Sequence, residues 1–313
     1  MTGLELSKAY FTEYGKPMLE EQFPDLLPFL AAGLTGSGSE CFGYDDAVSR
    51  DHDFEPGFCL FLPDESVVDR RTAFLLERAY SKLPREHLGI QRELLSPVGG
   101  ARRGVLRIND YFMNKIGSPD GLLSDEQWLC IPEYALAEAT NGSIFFDAYG
   151  LITKIRDRLS AYPDDVRRKR LAGHLLLMAQ AGQYNYRRCI DHGEPAAAQL
   201  AIIEFVENSM ASIFLLNRRY QPFYKWRFRA FRELPMLAEL ADTLSFLLST
   251  GNEDPLRIEK EIQIEKISVQ VSKLLRTQEL PGITGTNLET LAYTVNDRIR
   301  DPYLRNQHIL SAV

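Results

Sequence analysis

Cysteine is scarce and scattered in this sequence. The four cysteines, Cys41, Cys59, Cys130 and Cys189, form no Cys-x-x-Cys pair and no Cys/His cluster. This spacing argues against a structural zinc site and against a disulfide-dense secreted scaffold. A chain of 313 residues buries enough apolar surface to fold without either kind of crosslink.

Positive charge and long apolar runs are also limited. The chain has 36 Lys and Arg residues against 43 Asp and Glu residues, which gives a net charge of −7. Proteins dedicated to duplex DNA are usually basic, so duplex DNA is not expected as a partner. The N-terminus lacks a signal-peptide pattern, and charged or polar residues interrupt the longest apolar runs. We therefore expect a cytoplasmic protein that has no membrane partner.

Proline and glycine punctuate the chain up to residue 150 and thin out beyond it. Before that point, short apolar segments predict strands at residues 29–34, 104–108 and 143–147, and a fourth at the end of the segment 53–62. After it, a helical period predicts six helices, at residues 151–162, 164–182, 195–217, 236–249, 253–277 and 287–300. We expect an α+β fold in which an N-terminal α/β domain (1–150), with a small mixed sheet flanked by helices, precedes a C-terminal helical bundle (151–313).

Local signals predict several element boundaries. We expect Gly15 to end the first helix, Pro63 to open a helix, and Asn109 to cap a short one. Asp164 is expected to cap a helix of the second part. The run Arg167-Arg-Lys-Arg170 on that helix is interpreted as a solvated face.

A glycine-rich loop follows the first predicted strand and leads to two closely spaced aspartates. The loop contains Gly36, Gly38 and Ser39, and the aspartates are Asp51 and Asp53. Glycine lets backbone N–H groups approach phosphate oxygens, and serine adds a hydroxyl donor. Residues i and i+2 of a strand share a face, so the two carboxylates repel each other unless a divalent cation bridges them. Mg²⁺, or Mn²⁺ in its place, suits such ligands together with phosphate oxygens.

This pattern resembles that of the nucleotidyltransferases related to DNA polymerase beta. In that superfamily, an apolar strand is followed by Gly-Ser, a spacer, and Asp-x-Asp or Asp-x-Glu on the next strand. Here eleven residues separate Gly38-Ser39 from Asp51-His52-Asp53. The resemblance implies that Gly38 and Ser39 bind the β- and γ-phosphates of a nucleoside triphosphate. It also implies that Asp51 and Asp53 hold the metal and are catalytic.

Active members of this superfamily usually carry a third carboxylate on a later strand. The segment 104–108 offers Arg107 there instead, with Asp110 just beyond it. Asp147 and Glu133 are further candidates, and the sequence does not decide among the three. Asp110 is taken as the catalytic candidate. If no third acid reaches the site, the chain binds nucleotide without transferring it.

Three longer segments give a closer resemblance, to a bacterial family known as domain of unknown function 4037. They are a segment from Gly36 to Leu60, Ala181-Gly-Gln-Tyr-Asn-Tyr-Arg-Arg188, and Phe214-Leu-Leu-Asn-Arg-Arg-Tyr-Gln-Pro-Phe-Tyr-Lys-Trp226. That family is thought to join a minimal nucleotidyltransferase domain to a helical domain, like the aminoglycoside nucleotidyltransferases. The resemblance implies binding of nucleotide and magnesium, and it names no acceptor.

A cationic and aromatic segment without any acid lies at residues 217–232. Its six Lys and Arg residues are interleaved with six aromatic residues. Cations contact phosphates, and aromatic faces stack on bases. We expect Lys225 and nearby arginines to neutralise a bound triphosphate, and Tyr184 and Arg187 are further candidates for nucleotide binding.

The sequence thus predicts an enzyme that uses magnesium to move a nucleoside monophosphate from a nucleoside triphosphate to a hydroxyl group. The acceptor is either a small molecule or a macromolecule. The alternative is a catalytically inactive nucleotide-binding sensor or interaction protein. Such a protein would have kept the phosphate-binding loop and lost turnover.

Overall fold

The computed structural model describes residues 1–48, 54–92 and 103–313. Contacts along the chain divide it into two compact units. The sheet unit comprises residues 1–123 and 132–160, and the helical unit comprises residues 124–131 and 161–313. The mixed α+β class predicted from the sequence is confirmed, and the domain boundary near residue 150 stays a prediction.

All four predicted strands are present in the sheet unit, and they form one mixed sheet. Its strands are β1 (Ala31–Leu34), β2 (Cys59–Leu62), β5 (Gly104–Arg107) and β6 (Ser143–Asp147), in the order β5-β2-β1-β6. A separate two-stranded sheet consists of β3 (Glu86–His87) and β4 (Ile90–Gln91).

Strand β1 runs antiparallel to both of its neighbours, and β2 runs parallel to β5. The register pairs Gly33 with Cys59, near the end of β1 and at the start of β2. The loop that follows Leu34 therefore lies at the same end of the strands as the segment that enters β2. At the opposite end of β1, Ala31 pairs with Asp147.

The first seven helices lie between residues 3 and 158. They are α1 (Gly3–Tyr10), α2 (Lys16–Gln22), α3 (Arg70–Ser81), α4 (Ile108–Ile116), α5 (Asp125–Cys130), α6 (Glu133–Thr140) and α7 (Leu151–Arg158). Of these, α5 belongs to the helical unit and the others belong to the sheet unit. Helices α1 and α2 cover a buried cluster around Phe58, whose ring centroid lies 5.1 Å from that of Phe11 and 4.9 Å from that of Tyr80.

Three boundary predictions in the sheet unit are wrong. Gly15 does not end the first helix, because Phe11–Gly15 forms a π-helical turn that continues into α2. A Cβ at Gly15 would lie 2.5 Å from the Phe58 ring, so this glycine permits close packing. Helix α3 starts at Arg70 with Asp69 as its cap, seven residues after Pro63. Asn109 lies inside the first turn of α4, which begins directly at the end of β5.

The helical unit contains eight further helices among the described residues. They are α8 (Asp164–Met178), α9 (Tyr186–Asp191), α10 (Pro195–Leu216), α11 (Tyr224–Arg232), α12 (Ala241–Ser249), α13 (Leu256–Thr277), α14 (Leu288–Asp297) and α15 (Pro302–Asn306). A π-helical segment, Ala179–Asn185, joins α8 to α9. Asp164 is the first residue of α8 and Pro163 occupies the cap position, so the predicted capping role of Asp164 is wrong.

The cationic run on α8 is buried, which corrects its interpretation as a solvated face. Arg167, Lys169 and Arg170 are at most 8% exposed, because α10 and α14 pack against this helix. The ammonium of Lys169 donates hydrogen bonds to Gln307 O at 2.7 Å and to Asn296 Oδ1 at 3.0 Å. Buried cations of this kind are tolerated because oxygen acceptors replace water.

Helix α10 is also long and apolar enough to cross a membrane, judged by length and composition alone. Within its most apolar window, 72% of the helix is buried inside the protein. A core helix of a globular protein has the same property, so this helix is weak evidence for a membrane.

His174 on α8 gives the helical unit a testable pH dependence. Its Nδ1 lies 2.8 Å from Asn208 Oδ1. Burial is the main cause that lowers the pKa of His174 from 6.5 to about 4, and the nearby charges of Arg170 and Arg227 contribute to this shift. The unfolded chain therefore binds a proton between pH 6.5 and pH 4 that the folded chain does not. The free energy of unfolding should fall as the pH falls through this range.

The measurement is the free energy of unfolding against pH for the wild type and for His174→Gln. We expect the fall between pH 6.5 and pH 4 to be shallower in His174→Gln. His192→Gln changes an exposed histidine and serves as the matched control. Equal slopes in His174→Gln and the wild type would contradict the assignment.

Candidate functional site

A cavity of about 610 Å³ opens in the sheet unit beside the end of β1. It is bounded by the glycine-rich loop, by residues of β2 and β5, and by one side of α3 and of α4. The lining residues are Leu34, Thr35, Gly36, Ser37, Gly38, Glu40, Cys41, Leu62, Ala73, Glu77, Val105, Leu106, Arg107, Asp110, Tyr111, Asn114 and Lys115. Cavities of this size accommodate small-molecule ligands.

The side chain of Asn141 fixes the loop immediately after β1. The N–H of Gly36 donates to Asn141 Oδ1 at 2.9 Å, and Asn141 Nδ2 donates back to Gly36 O at 2.7 Å. The Thr35 hydroxyl lies within 3.1 Å of Asn141 Oδ1 and of Glu138 O. The loop backbone is thereby held against the end of α6.

Two glycines permit this arrangement. Gly36 has a φ of +128°, a conformation that favours glycine, and a Cβ there would meet no atom within 4 Å. Gly142 has a φ of +67°, and its Cβ would lie only 2.0 Å from Leu34 O. Asn141 can therefore approach the loop only because glycine follows it.

The loop presents a run of backbone donors that the described part of the chain leaves without acceptors. The N–H groups of Ser37, Gly38 and Ser39 make no hydrogen bond among these residues. Ser37 and Gly38 line the cavity, whereas Ser39 is not among its lining residues and begins a short 3₁₀ turn. Consecutive backbone N–H groups of this kind form a concavity that binds anions.

The three candidates for a third carboxylate occupy different places. Asp110 is exposed in the first turn of α4 and lines the cavity. Asp147 lies at the end of β1 away from the loop, where it accepts a hydrogen bond from Thr153 N. Glu133 is buried at the start of α6 and does not line the cavity.

Sequence reasoning missed a buried ion cluster at the loop. Arg103 Nη2 lies 3.2 Å from Glu40 Oε1, and Arg103 Nη1 lies 3.0 Å from Glu55 Oε1. The side chains of Arg103 and Glu40 are each less than a tenth exposed. This cluster connects the loop after β1 with the segment before β2. In the sequence, Glu40, the acid that directly follows Gly38-Ser39, is the feature that could have indicated this cluster.

Arg107, the last residue of β5, has a structural role. Its two terminal guanidinium nitrogens donate to Pro63 O and Val68 O, each at 2.9 Å. These bonds fix the segment that connects β2 to α3. Glu77 on α3 and Lys115 on α4 also line the cavity and were missed, and Lys115 is paired with Glu138.

The remaining predicted nucleotide contacts lie in the helical unit. Arg187 forms ion pairs with Glu261 at 3.2 Å and with Asp191 at 3.7 Å. Tyr184 is 58% exposed, and the guanidinium of Arg188 lies 4.9 Å from its ring centroid. Lys225 is exposed in the first turn of α11.

The fold supplies acids to the segment 217–232, which has none of its own. Arg218 pairs with Asp164, Arg227 with Glu207 and Arg232 with Asp242. At least half of the six cations in the segment are thus partly neutralised by residues remote in sequence. The local charge is weaker than the sequence suggests.

The predicted metal ligands, Asp51 and Asp53, lie outside the described residues. Within the ranges that the structure describes, no three His, Cys, Asp or Glu side chains are grouped to hold a metal ion.

Residues 128–227 match the family model described as Domain of unknown function (DUF4037). This match covers about a third of the chain and supports the resemblance to that family. It includes the segments 181–188 and 214–226, but not the glycine-rich loop or the aspartate pair. A comparison with curated proteins gives no match, and neither does a comparison with solved structures.

Removal of the Asn141 amide should destabilise the sheet unit. Asn141→Ala leaves the N–H and the carbonyl of Gly36 without partners in a buried position, which costs about 1–3 kcal/mol in the free energy of unfolding. Asn114→Ala removes an exposed amide at the same cavity and should change that free energy by less than about 0.5 kcal/mol. Chemical denaturation measures both, and equal effects would contradict the anchoring role of Asn141.

Proposed function

We propose that this protein is a magnesium-dependent nucleotidyltransferase that moves a nucleoside monophosphate from a nucleoside triphosphate to a hydroxyl acceptor. The observation that carries the proposal is the anchored loop, whose N–H groups at Ser37, Gly38 and Ser39 have no partner in the described part of the chain. A triphosphate supplies the acceptors that these donors lack. The adjoining cavity, about 610 Å³, has room for a small ligand.

The donor chemistry of the cavity fits a hard divalent cation. Carboxylate oxygens suit Mg²⁺, which takes one or two carboxylates and fills its other positions with water and phosphate oxygens. In this proposal Asp51 and Asp53 hold Mg²⁺ or Mn²⁺, and Asp110, which lines the cavity, is the third carboxylate of the site. When bound, the cation would neutralise charge on the phosphates.

The reaction would join the acceptor oxygen to the α-phosphorus. The P–O bond between the α-phosphorus and the oxygen that bridges it to the β-phosphorus would break, and pyrophosphate would leave. Asp110 is the proposed base that takes the hydroxyl proton, because it is exposed and lines the cavity beside the loop. Gly38 and Ser39 would contact the β- and γ-phosphates.

The helical unit offers nucleotide contacts of unequal strength. Lys225 is exposed and shows no acidic partner among the described residues, so its ammonium is available to a phosphate. Arg187 is engaged by two carboxylates, which reduces its attraction for an anion. Tyr184 presents a largely exposed ring on which a base can stack.

A second candidate function is a nucleotide-binding sensor without turnover. The observation that favours it is Arg107, because β5 carries this arginine in place of an acid and both of its terminal nitrogens bind backbone carbonyls. In this alternative the loop and the aspartates bind the nucleotide, and Asp110 does not complete the set of carboxylates.

Substitution of the aspartates separates these functions. We expect Asp51→Asn and Asp53→Asn to weaken magnesium-dependent ATP binding by tenfold or more, or about 1.4 kcal/mol and above. Asp110→Asn should retain binding and lose nucleotidyl transfer, since it removes the base. Glu126→Gln changes an exposed acid on α5 and serves as the control.

Calorimetric titration measures binding, and release of pyrophosphate from the four nucleoside triphosphates, with cell extract as the source of acceptor, measures turnover. Magnesium-dependent binding that survives both aspartate substitutions contradicts the metal assignment. Binding without pyrophosphate release, in the wild type and with every triphosphate, favours the sensor.

A further inference from the structure

A small cavity in the helical unit is lined mainly by arginine and tyrosine. Its volume is about 10 Å³, close to that of one water-sized group. Three arginines contribute to its wall, Arg167, Arg218 and Arg219, together with the rings of Tyr162 and Tyr220. The two rings pack edge to face, with centroids 5.0 Å apart. The cavity therefore combines a concentration of positive charge with a well-packed aromatic wall.

Arg167 is a buried cation with few good acceptors. Its side chain is 5% exposed, and its Nε is buried without a hydrogen bond. Its terminal nitrogen Nη1 donates to Gln278 Oε1 at 3.2 Å and makes a longer contact, 3.4 Å, to Leu215 O. Burial, and then the positive charge of Arg218, lowers the pKa of Arg167 to about 10. The positive charge of the buried Arg167 guanidinium is therefore only partly balanced by acceptors in the structure.

One acid serves two of these arginines. Asp164 Oδ1 lies 2.9 Å from Arg218 Nη2 and 3.9 Å from Arg167 Nε. The Asp164 side chain is 56% exposed, so water weakens its attraction for both cations. Three arginines and one carboxylate leave an excess of positive charge at the cavity. An anion would reduce that excess.

The backbone turn that places Arg218 and Arg219 is strained. Arg218 has a φ of +52° and follows the end of α10 at a position where glycine is usual. Its N–H donates to Leu215 O, and the N–H of Arg219 donates to Phe214 O. A left-handed conformation costs a non-glycine residue roughly 1–2 kcal/mol. Arginine thus occupies this position at a cost to stability.

We propose that Arg167, Arg218 and Arg219 form a binding site for a phosphate group. The cavity admits a single oxygen atom, so one phosphate oxygen would enter and contact the buried Arg167. The other oxygens would stay at the surface, within reach of Arg218, which is half-exposed, and of Arg219, which is exposed. Guanidinium groups suit this geometry because they donate two parallel hydrogen bonds to an oxyanion. The same chemistry serves inorganic phosphate and a phosphate monoester.

The competing explanation is purely structural. Cations near the end of a helix stabilise its last carbonyls, and Arg167 does contact Leu215 O in the last turn of α10. This explanation predicts that anions have no effect on the cluster. In this explanation the benefit of arginine at residue 218 is its ion pair with the exposed Asp164, in a turn that glycine would close at lower cost.

The test is calorimetric titration of inorganic phosphate into the full chain, with sodium chloride added to hold the ionic strength constant. The loss of one charge-assisted contact should weaken binding about tenfold to a hundredfold in Arg218→Gly and in Arg219→Ala. Arg218→Gly relieves the backbone strain but loses the ion pair with Asp164, so the two effects should offset each other in the free energy of unfolding and the variant should fold. Thermal denaturation without phosphate checks this. Repeating the titration with a phosphate monoester, such as ribose 5-phosphate, separates the two sources of the group.

A matched control variant makes the outcome decisive. Arg300→Ala removes an exposed arginine of the same unit that does not line the cavity, and it should bind phosphate as the wild type does. The proposal is overturned if the wild type binds no phosphate or if Arg218→Gly and Arg219→Ala bind normally. The proposal does not rest on nucleotidyl transfer.

Discussion

The paired hydrogen bonds between Asn141 and Gly36 fix the conformation of the glycine-rich loop after β1, and the candidate site depends on that conformation. They hold the loop in a conformation in which Ser37 and Gly38 line the cavity and their N–H groups remain unpaired in the described part of the chain. Without this anchor, the same glycines would allow the loop many conformations, and binding an anion would require ordering them. The close approach of Asn141 depends in turn on Gly142, so one Asn-Gly pair positions the candidate site.

The helical unit buries several positively charged side chains. Lys169 and Lys260 are fully buried, and the ammonium of each donates to uncharged oxygens at the ends of helices. Lys260, for example, donates to Thr250 O at 2.8 Å and to Gln199 Oε1 at 3.0 Å. Satisfied acceptors make such groups tolerable in the interior. Arg167 lacks this degree of satisfaction, and that difference distinguishes it from the buried lysines.

Hydrophobic patterning predicts the four strands of the main sheet, but not the separate β3–β4 sheet. The four strands were found because short apolar runs bounded by Gly and Pro have few alternatives, and all four pair in one sheet. Helix boundaries were less predictable. Gly15 was expected to break a helix, but its packing against Phe58 keeps it helical, and such long-range contact leaves no local signal.

In the candidate site, too, features with a local sequence signal are predictable, and features that depend on long-range contacts are not. The composition identifies the glycine-rich loop. The sequence leaves three acids open beside it, and the structure shows that, of these three, Asp110 lines the cavity. Asn141 lies 105 residues from its partner, and no period or spacing connects the two. The α8 run was misread because a charged helix face is usually solvated, whereas here neighbouring helices cover it.

The most direct test of the account is a crystal structure with a non-hydrolysable nucleoside triphosphate and Mg²⁺. The account predicts phosphate oxygens within hydrogen-bond distance of the N–H groups of Ser37 and Gly38, and a metal ion coordinated by Asp51 and Asp53. A triphosphate bound elsewhere on the protein, with this loop making no contact to it, would contradict the account.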